Sequence, residues 1–346
     1  MNKILLLLLF CLVLAPLGRA TEPYHFIKEI PVGGDGGWDY LSVDAAAQRL
    51  YVSHGDIVVV LDLATDAIVG EITNTPGVHG VALAPERNRA YVSCGRNNKV
   101  AVIDLGTLRS TFQVATGQNP DAILYESKLG EVYVFDGRSQ SATIFPANID
   151  ILYMVGDVAD NIVKTIPLGG KPEFAQADSK AGQIYVNLED KNELLAIDTK
   201  THSVKYRWPI APGAEATGLA FDEKHHRLFL GCHNNLMLMM DSISGKVLAT
   251  VPIGAGVDAS AFDPGTQLVF ASCGDGTVTI AHEDSPDKLT VVQTLPTEKG
   301  ARTMALNPIT HRIYLPSAKF AAPAPGQRRG QIIPGTFKIL VYGPGK

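Results

Sequence analysis

Four short β-type runs separated by turns make up residues 80–115, GVALAPERNRAYVSCGRNNKVAVIDLGTLRSTFQVA. The runs cover residues 80–83, 89–93, 100–104 and 110–115. Each is rich in β-branched residues or alternates apolar and polar positions, and Gly, Asn, Asp or Pro bounds each one, which is typical of strands joined by tight turns. No window of the chain shows a convincing amphipathic helix pattern. Residues 80–115 therefore predict one four-stranded antiparallel sheet.

The same unit recurs along the chain, and the aromatic residue that starts its second strand marks each copy. These aromatics are Tyr51, Tyr91, Tyr133, Tyr185, Phe229, Phe270 and Tyr314. Each follows the previous one after 40 to 52 residues, a period typical of a four-stranded propeller blade. The sequence therefore predicts an all-β fold, a seven-bladed β-propeller that forms a single domain over residues 21–346.

The first and last repeats indicate how the ring closes. The seventh repeat has a third strand at residues 338–342, and the sequence stops before a fourth. Residues 24–32 carry a strand followed by the proline-glycine turn that ends other repeats, so we expect this N-terminal strand to complete the last blade. Such closure leaves no open sheet edge.

Apolar-Asp pairs about 11 to 13 residues after the aromatic give the repeat a recognisable form. They are Leu61-Asp62, Ile103-Asp104, Ile197-Asp198 and Met240-Asp241. With the Tyr-Val-Ser type segments, they resemble the YVTN-type β-propeller repeat family, the YncE-like group of exported bacterial proteins. The resemblance covers essentially the whole chain after the leader. It implies the fold but no activity, because propellers host many unrelated functions.

The third repeat departs from the pattern. Pro146 stands where an Asp is expected, and an insertion at about residues 147–160 delays the fourth strand. We expect this insertion on the face opposite the polar residues described below, as an extended hairpin that packs on its own blade. A partner contact through residues 151–155 is the alternative.

Residues 1–20 have the form of an export signal, with Lys3, an apolar run over residues 4–14 and a small-x-small site ending at Ala20. We therefore expect a periplasmic or secreted monomer with no membrane span after cleavage. Loss of this segment moves the net charge from −5 to −7, which disfavours nucleic-acid binding. Three cysteines then remain, an odd number that excludes a disulfide scaffold.

A ring of polar residues stands twelve positions before the repeated aromatics. Its members are Asp39, His79, Asp121, Glu173, Thr217, Asp258 and Arg302. Each lies at the start of a predicted first strand, and the first strands of a propeller line the central channel. A second set lies three positions after the aromatics and is expected on the same face: His54, Cys94, Asp136, Leu188, Cys232, Cys273 and Ser317.

The polar ring allows two interpretations. Its ionisable members, Asp39, His79, Asp121, Glu173, Asp258 and Arg302, form a candidate ligand site, and the four carboxylates are candidate ligands for a divalent cation. Alternatively, the ring is solvated or paired internally, for example Arg302 with Asp39 or Asp258.

Several other groups are assigned structural roles from sequence. The cysteines lie in different blades and are expected to be buried small residues. His225, His226 and His311 fall in turns and are interpreted as surface groups. The long loop at residues 316–336 carries Lys319, Arg328 and Arg329, and is either a lid over the ring or a solvated loop.

These observations favour a non-enzymatic periplasmic binding or scaffold protein that uses the channel mouth for a small ligand, a cation or a protein partner. The alternative is a metal-assisted hydrolase of the lactonase type with the cation on the propeller axis. An oxidoreductase with copper or a quinone cofactor is a third, weaker candidate. The segment at residues 254–259 matches a dinucleotide fingerprint, but no helix follows it, so we interpret it as a turn.

Overall fold

The computed structural model describes residues 23–149, 154–155, 158–159, 162–323 and 330–345. Within these ranges the strands form seven sheets with four-stranded antiparallel blades, so the predicted seven-bladed β-propeller is confirmed. Single 3₁₀ turns at Pro85–Arg87 and Glu189–Lys191 are the only helical segments in the described ranges, and neither is long or apolar enough to cross a bilayer. The predicted signal at residues 1–20 lies outside the described residues.

The strands are numbered in chain order, and β1 is Tyr24–Pro31. Blade 1 contains β2 Trp38–Asp44, β3 Arg49–His54, β4 Ile57–Asp62 and β5 Ile68–Ile72. Blade 2 contains β6 Val78–Ala84, β7 Arg89–Cys94, β8 Lys99–Asp104 and β9 Arg109–Ala115. Blade 3 contains β10 Pro120–Glu126, β11 Glu131–Asp136 and β12 Ser141–Pro146, then, after a hairpin of β13 Met154–Val155 and β14 Val158–Ala159, β15 Lys164–Pro167.

The remaining blades follow the same order. Blade 4 contains β16 Pro172–Asp178, β17 Gln183–Leu188, β18 Glu193–Asp198 and β19 Ser203–Pro209. Blade 5 contains β20 Ala216–Asp222, β21 Arg227–Cys232, β22 Leu236–Asp241 and β23 Val247–Pro252. Blade 6 contains β24 Val257–Asp263, β25 Leu268–Cys273, β26 Thr277–Ser285 and β27 Lys288–Pro296. Blade 7 contains β28 Ala305–Asn307, β29 Arg312–Ser317 and β30 Lys338–Pro344.

The first strands of the seven blades lie side by side around the axis and line the channel. Blade 7 is completed by β1, which pairs antiparallel with β30 from Tyr24 opposite Pro344 to Pro31 opposite Lys338. The predicted closure by the N-terminal strand is therefore confirmed. In blade 2 the strand boundaries lie within two residues of those predicted from residues 80–115.

The aromatic residue that marks each repeat is buried between neighbouring blades, and all seven are at most 2% exposed. Tyr91 Oη donates to the carbonyl of Ala147 at 2.5 Å, and Tyr185 Oη donates to the carbonyl of Ser242 at 3.1 Å. Both acceptors belong to the following blade. Burial of one such ring contributes about 1.5–3 kcal/mol. The repeated aromatic therefore joins each blade to the next.

The prediction that the insertion packs on its own blade is wrong. The hairpin β13–β14 pairs parallel with β9 and extends the sheet of blade 2 to six strands. The start of the insertion is already tied to blade 2, because Arg89 Nη1 donates to the carbonyls of Ala147 and Ile149 at 3.0 and 2.7 Å. The outer edge of β9 offers unpaired backbone groups next to this anchor, which favours strand addition there.

Candidate functional site

The predicted polar ring lies at one end of the channel, which we call the charged mouth. It consists of Asp39, His79, Asp121, Glu173, Thr217, Asp258 and Arg302. The first six are the second residue of their first strand, whereas Arg302 precedes β28 by three residues. The structure therefore brings the predicted residues to one face.

A β-bulge occurs at the charged mouth in six blades. In blade 1, Trp38 pairs with His54 and Leu41 pairs with Val52, so the first strand has one extra residue at Asp39-Tyr40. Blades 2 to 6 have the same irregularity at their own mouth residues. A bulge bends a strand and redirects a side chain, and it is common beside functional sites. The bulge positions the mouth side chains, and the sequence pattern alone did not reveal it.

A polar side chain two positions after the repeated aromatic fixes the mouth of the following blade. Ser93 Oγ donates to the carbonyl of Asp121 at 2.6 Å, and Asn187 Nδ2 donates to the carbonyl of Thr217 at 3.2 Å. Ser272 Oγ makes the same bond to the carbonyl of Arg302. The serine of the Tyr-Val-Ser segment thus fixes, through this hydrogen bond, the backbone of the mouth residue in the following blade.

His79 lies at the centre of an acidic cluster in the charged mouth. Its Nδ1 is 2.6 Å from Asp39 Oδ2 and 3.5 Å from Asp121 Oδ1. Burial alone would lower the pKa of His79, but the hydrogen bond to Asp39 and the charge of Asp121 outweigh it and raise the pKa to about 9. A protonated imidazole therefore occupies the space between two carboxylates at neutral pH.

The buried carboxylates of the mouth hold their protons more strongly than usual. Burial raises the pKa of Asp121, and the charge of Asp39 adds to this while His79 opposes it. Burial, then the charge of Asp121, raises the pKa of Glu173. Asp258 is raised to a pKa of about 6 by burial, although Arg302 opposes the shift. The four ring carboxylates face only two basic ring residues, so the mouth is short of positive charge.

Internal pairing accounts for part of the ring. Arg302 Nε lies 3.0 Å from Asp258 Oδ2, which confirms one of the pairs expected from sequence. Lys171 bonds Glu173 and lies 2.6 Å from Glu189 Oε2. Sequence reasoning missed Lys171 as a mouth residue, although it stands two positions before Glu173. The Asp39–His79–Asp121 cluster differs because its only cation is the titratable imidazole.

Two aromatic rings meet across the channel below the charged mouth. Tyr40 of blade 1 and Phe174 of blade 4 are in edge contact, with ring centroids 5.3 Å apart. Burial, then the charges of Asp121 and Asp39, raises the pKa of Tyr40 well above its ordinary value. Because blades 1 and 4 are not neighbours, this contact spans the axis. Sequence reasoning missed Tyr40, which directly follows Asp39.

The opposite end of the channel carries no charged side chain among its described lining residues and is mainly apolar, with Gln176 and Ser260 as its polar members. A cavity of about 360 Å³ opens there, and Phe174 forms part of its wall. Its other apolar lining includes Leu41, Phe221, Phe262, Met304 and Leu306. The two ends of the channel therefore differ in chemistry, with carboxylates on one side of the aromatic contact and uncharged, mainly apolar side chains on the other.

The second predicted set lies at the ends of the second strands, on the face of the charged mouth, but its side chains are largely buried. Cys94, Cys232 and Cys273 are free thiols with 0% exposure, and burial raises the pKa of each to about 12. Asp136 is also fully buried and accepts a bond from Thr143 Oγ1 at 2.7 Å. The expected role of the cysteines as buried small residues is confirmed.

The described ends of the long blade 7 loop lie beside the charged mouth. Ala321 N donates to Gln331 O and Ile333 N donates to Lys319 O, both at 2.8 Å, so the loop is paired at its base. Phe320 contacts Trp38, the neighbour of Asp39, with ring centroids 6.1 Å apart. Arg328 and Arg329, on which the lid hypothesis rests, lie outside the described residues.

The assignment of His225 as a surface group is wrong. Its Nδ1 is 2.6 Å from Asp222 Oδ2 and 3.5 Å from Glu283 Oε1, and its side chain is 24% exposed. We call Asp222, His225 and Glu283 the turn cluster. His311 is similarly held by the buried Asp263, at 2.6 Å. These carboxylates come from the ends of strands that sequence spacing did not bring together.

The Asp39–His79–Asp121 cluster and the turn cluster have the residue types of metal sites. In each, one ligand atom per residue lies within 4.8 Å of the other two. Imidazole with two carboxylates suits first-row divalent ions such as Zn²⁺. Glu173 and Asp258 are not part of the first cluster, so the structure groups only two of the four candidate carboxylate ligands with His79.

No family model and no curated protein sequence match this chain. Solved structures do match. A chain of hydrazine synthase from Kuenenia stuttgartiensis aligns with a TM-score of 0.67 at 16% identity, covering 82% of this chain and 94% of that one. A chain of the mitotic checkpoint complex gives 0.72 at 14%, covering 100% and 99%. U3-55K gives 0.72 at 10%, covering 91% and 98%. At these identities the similarity shows the fold alone.

Proposed function

We propose that this propeller is a binding protein that holds a divalent metal ion at the charged mouth, between Asp39, His79 and Asp121. One observation carries the proposal. Asp121 is only 9% exposed, yet its Oδ1 has no hydrogen-bond partner among the described residues, and it points toward His79. A buried oxygen without a donor is costly, and a bound cation would satisfy it.

Proton exchange is the expected mode of binding. At neutral pH the imidazolium of His79 supplies the positive charge between Asp39 and Asp121, as its raised pKa indicates. A metal ion binds neutral imidazole, so it would displace this proton. Affinity should therefore rise with pH up to about 9, the pKa of His79.

The proposal also includes the location and family of the chain. The leader-like segment at residues 1–20 supports export to the periplasm or medium, and the Tyr-Val-Ser and apolar-Asp spacing supports membership of the YVTN-type family. A scaffold of seven blades with one chemically distinct mouth suits a binding role.

Calorimetric titration of the metal-stripped chain tests the proposal. It is best done in a His225→Gln background, which disables the turn cluster. We expect one equivalent of Zn²⁺ to bind, with proton release that varies with buffer ionisation enthalpy. Asp39→Asn and Asp121→Asn should abolish this binding. Asp258→Asn removes an equal charge from the same ring and serves as the matched control.

The proposal fails if the titration shows no metal binding. It also fails if Asp258→Asn weakens binding as much as Asp121→Asn does, because the effect would then reflect net charge instead of ligation. Elemental analysis of chain purified from its native compartment gives an independent reading of which ion is carried.

A metal-assisted hydrolase of the lactonase type is the second candidate. It is favoured by Glu173, a carboxylate of the same mouth whose pKa is raised by burial and then by the charge of Asp121, and which could serve as a general acid or base for a metal-bound water. Hydrolysis of a lactone panel by the Zn²⁺-loaded chain, lost in Glu173→Gln with metal binding retained, would support it. Equal, background-level hydrolysis by both chains would reject it.

A further inference from the structure

The turn cluster lies at the opposite face of the propeller from the charged mouth, between blades 5 and 6. Asp222 ends the first strand of blade 5, His225 lies in the turn that follows, and Glu283 belongs to the third strand of blade 6. Asp222 and Glu283 are 3% and 2% exposed. The cluster therefore brings two buried carboxylates and an imidazole together at a boundary between blades.

Glu283 breaks the repeat at a position that is otherwise apolar or small. Its backbone N–H donates to the carbonyl of Gln267, just before the second strand of its blade. The residues that make the corresponding bond in blades 1 to 5 are Leu63, Leu105, Ala147, Thr199 and Ser242. Blade 6 alone among these copies places a carboxylate here. Burying a charge is unfavourable unless a partner compensates for it.

The ligand-type atoms of the turn cluster approach one another as ion-pair contacts, but these contacts do not have the geometry of regular hydrogen bonds. Asp222 Oδ2, His225 Nδ1 and both carboxylate oxygens of Glu283 have no hydrogen-bond partner among the described residues. Asp222 uses its other oxygen to accept the N–H of Lys224 at 2.9 Å. The contact of 2.6 Å between His225 Nδ1 and Asp222 Oδ2 is thus a close approach that is not aligned as a hydrogen bond.

The basic residue beside the cluster is engaged elsewhere. Arg227 binds Asp241 at 2.7 Å through Nη1 and the carbonyl of Pro286 through Nε. The related pair in the next blade is simpler, since Asp263 accepts a regular hydrogen bond from His311 at 2.6 Å. Within the described residues that pair gathers no third ligand. In the part of the chain that the structure describes, such a group of aspartate, histidine and glutamate occurs at the boundary between blades 5 and 6.

We infer that the turn cluster is a second divalent metal site, in which Asp222 Oδ2, His225 Nδ1 and the Glu283 carboxylate bind a first-row ion of the Zn²⁺ class. One nitrogen and two carboxylate ligands suit this class and leave an open position for water. The site links the turn of blade 5 to the third strand of blade 6, so a bound ion should stabilise this boundary between the blades. It does not depend on the function proposed for the charged mouth.

The test uses the full chain with the charged mouth disabled by Asp39→Asn and His79→Gln. After metal removal, titration with Zn²⁺ should show one bound equivalent and a rise in melting temperature. Glu283→Leu restores the residue type of Leu63 and Leu105, and should abolish both the bound equivalent and the Zn²⁺-dependent rise. His225→Gln should do the same. His226→Asn, which gives this turn the residue found at Asn88, is the matched control and should retain both.

Two results would overturn the inference. One is the absence of any bound Zn²⁺ when the mouth is disabled. The other is binding that survives both Glu283→Leu and Glu283→Gln, the second variant guarding against a folding defect of the first. A proton shared between Glu283 and Asp222 is the competing arrangement, and it predicts no dependence on metal at all. The mouth proposal is tested in the His225→Gln chain, and the turn-cluster inference is tested in the Asp39→Asn, His79→Gln chain. Failure of one can therefore be distinguished from failure of the other.

Discussion

The imidazole of His79 should titrate far above its ordinary range, and Asp39→Asn should bring it down. The structure raises its pKa from 6.5 to about 9, through a hydrogen bond of 2.6 Å to Asp39 and the charge of Asp121 at 3.5 Å. Loss of one adjacent carboxylate lowers a pKa by about 1–3 units, so we expect a value of roughly 6–8 in the variant.

This shift has a defined effect on stability. Because the folded pKa of His79 is raised, its contribution is fully present below the unfolded value of 6.5 and is lost as pH rises through about 9. At about 1.4 kcal/mol per unit, a fall of two units would remove about 3 kcal/mol from the free energy of unfolding at pH 6. Above pH 9 this contribution should vanish.

The assay is an NMR titration of the histidine Cε1 protons, with His79→Gln to assign the resonance, together with urea unfolding at pH 6 and 9.5. Asp258→Asn removes a carboxylate paired with Arg302 from the same ring and should move the pKa less. A wild-type His79 that titrates near 6.5, or an Asp39→Asn chain with an unchanged pKa, would refute the geometry of the mouth.

Three further outcomes are expected. Tyr185→Phe should cost about 1 kcal/mol in urea unfolding, because a buried hydrogen bond to the next blade is lost while the ring remains; an unchanged midpoint would contradict this. Ser93→Ala should cost about as much and also lower the His79 pKa, since the Asp121 backbone loses its anchor; Ser127→Ala, at an exposed position in a turn, is the control. The three buried thiols should resist Ellman's reagent at pH 8 in the folded chain and react after unfolding, and fast native labelling would argue against their burial.

The repeat register predicted the fold and the position of the charged mouth. Counting from the aromatics placed Asp39, His79 and Asp121 on one face because the first strands of these blades are all seven residues long and the second strands are all six. The same count did not reveal which residues touch. The bulge that turns these side chains adds one residue to the first strand in blades 1 to 6, a local irregularity that period-two patterning does not encode.

Contacts between blades account for the remaining errors. Sequence position places the insertion in the third repeat and predicts that it packs on that blade, whereas Arg89 of the preceding blade binds its first residues. The place of His225 in a turn next to basic residues predicts a surface group, although Glu283 approaches it from the next blade. A signal for Glu283 did exist, since aligning the copies puts it among Leu63, Leu105 and Ala147.

The hydroxyl bridges from Ser93, Ser272 and Tyr91 all run from one blade to the following one, and every acceptor is a backbone carbonyl. Every residue has a backbone carbonyl, so these hydrogen bonds between blades do not depend on the side chain of the residue that accepts them. The mouth residue can therefore change from aspartate to threonine or arginine while its backbone stays anchored. Repeat duplication followed by mutation can therefore change the chemistry of the channel one blade at a time, while the propeller stays closed.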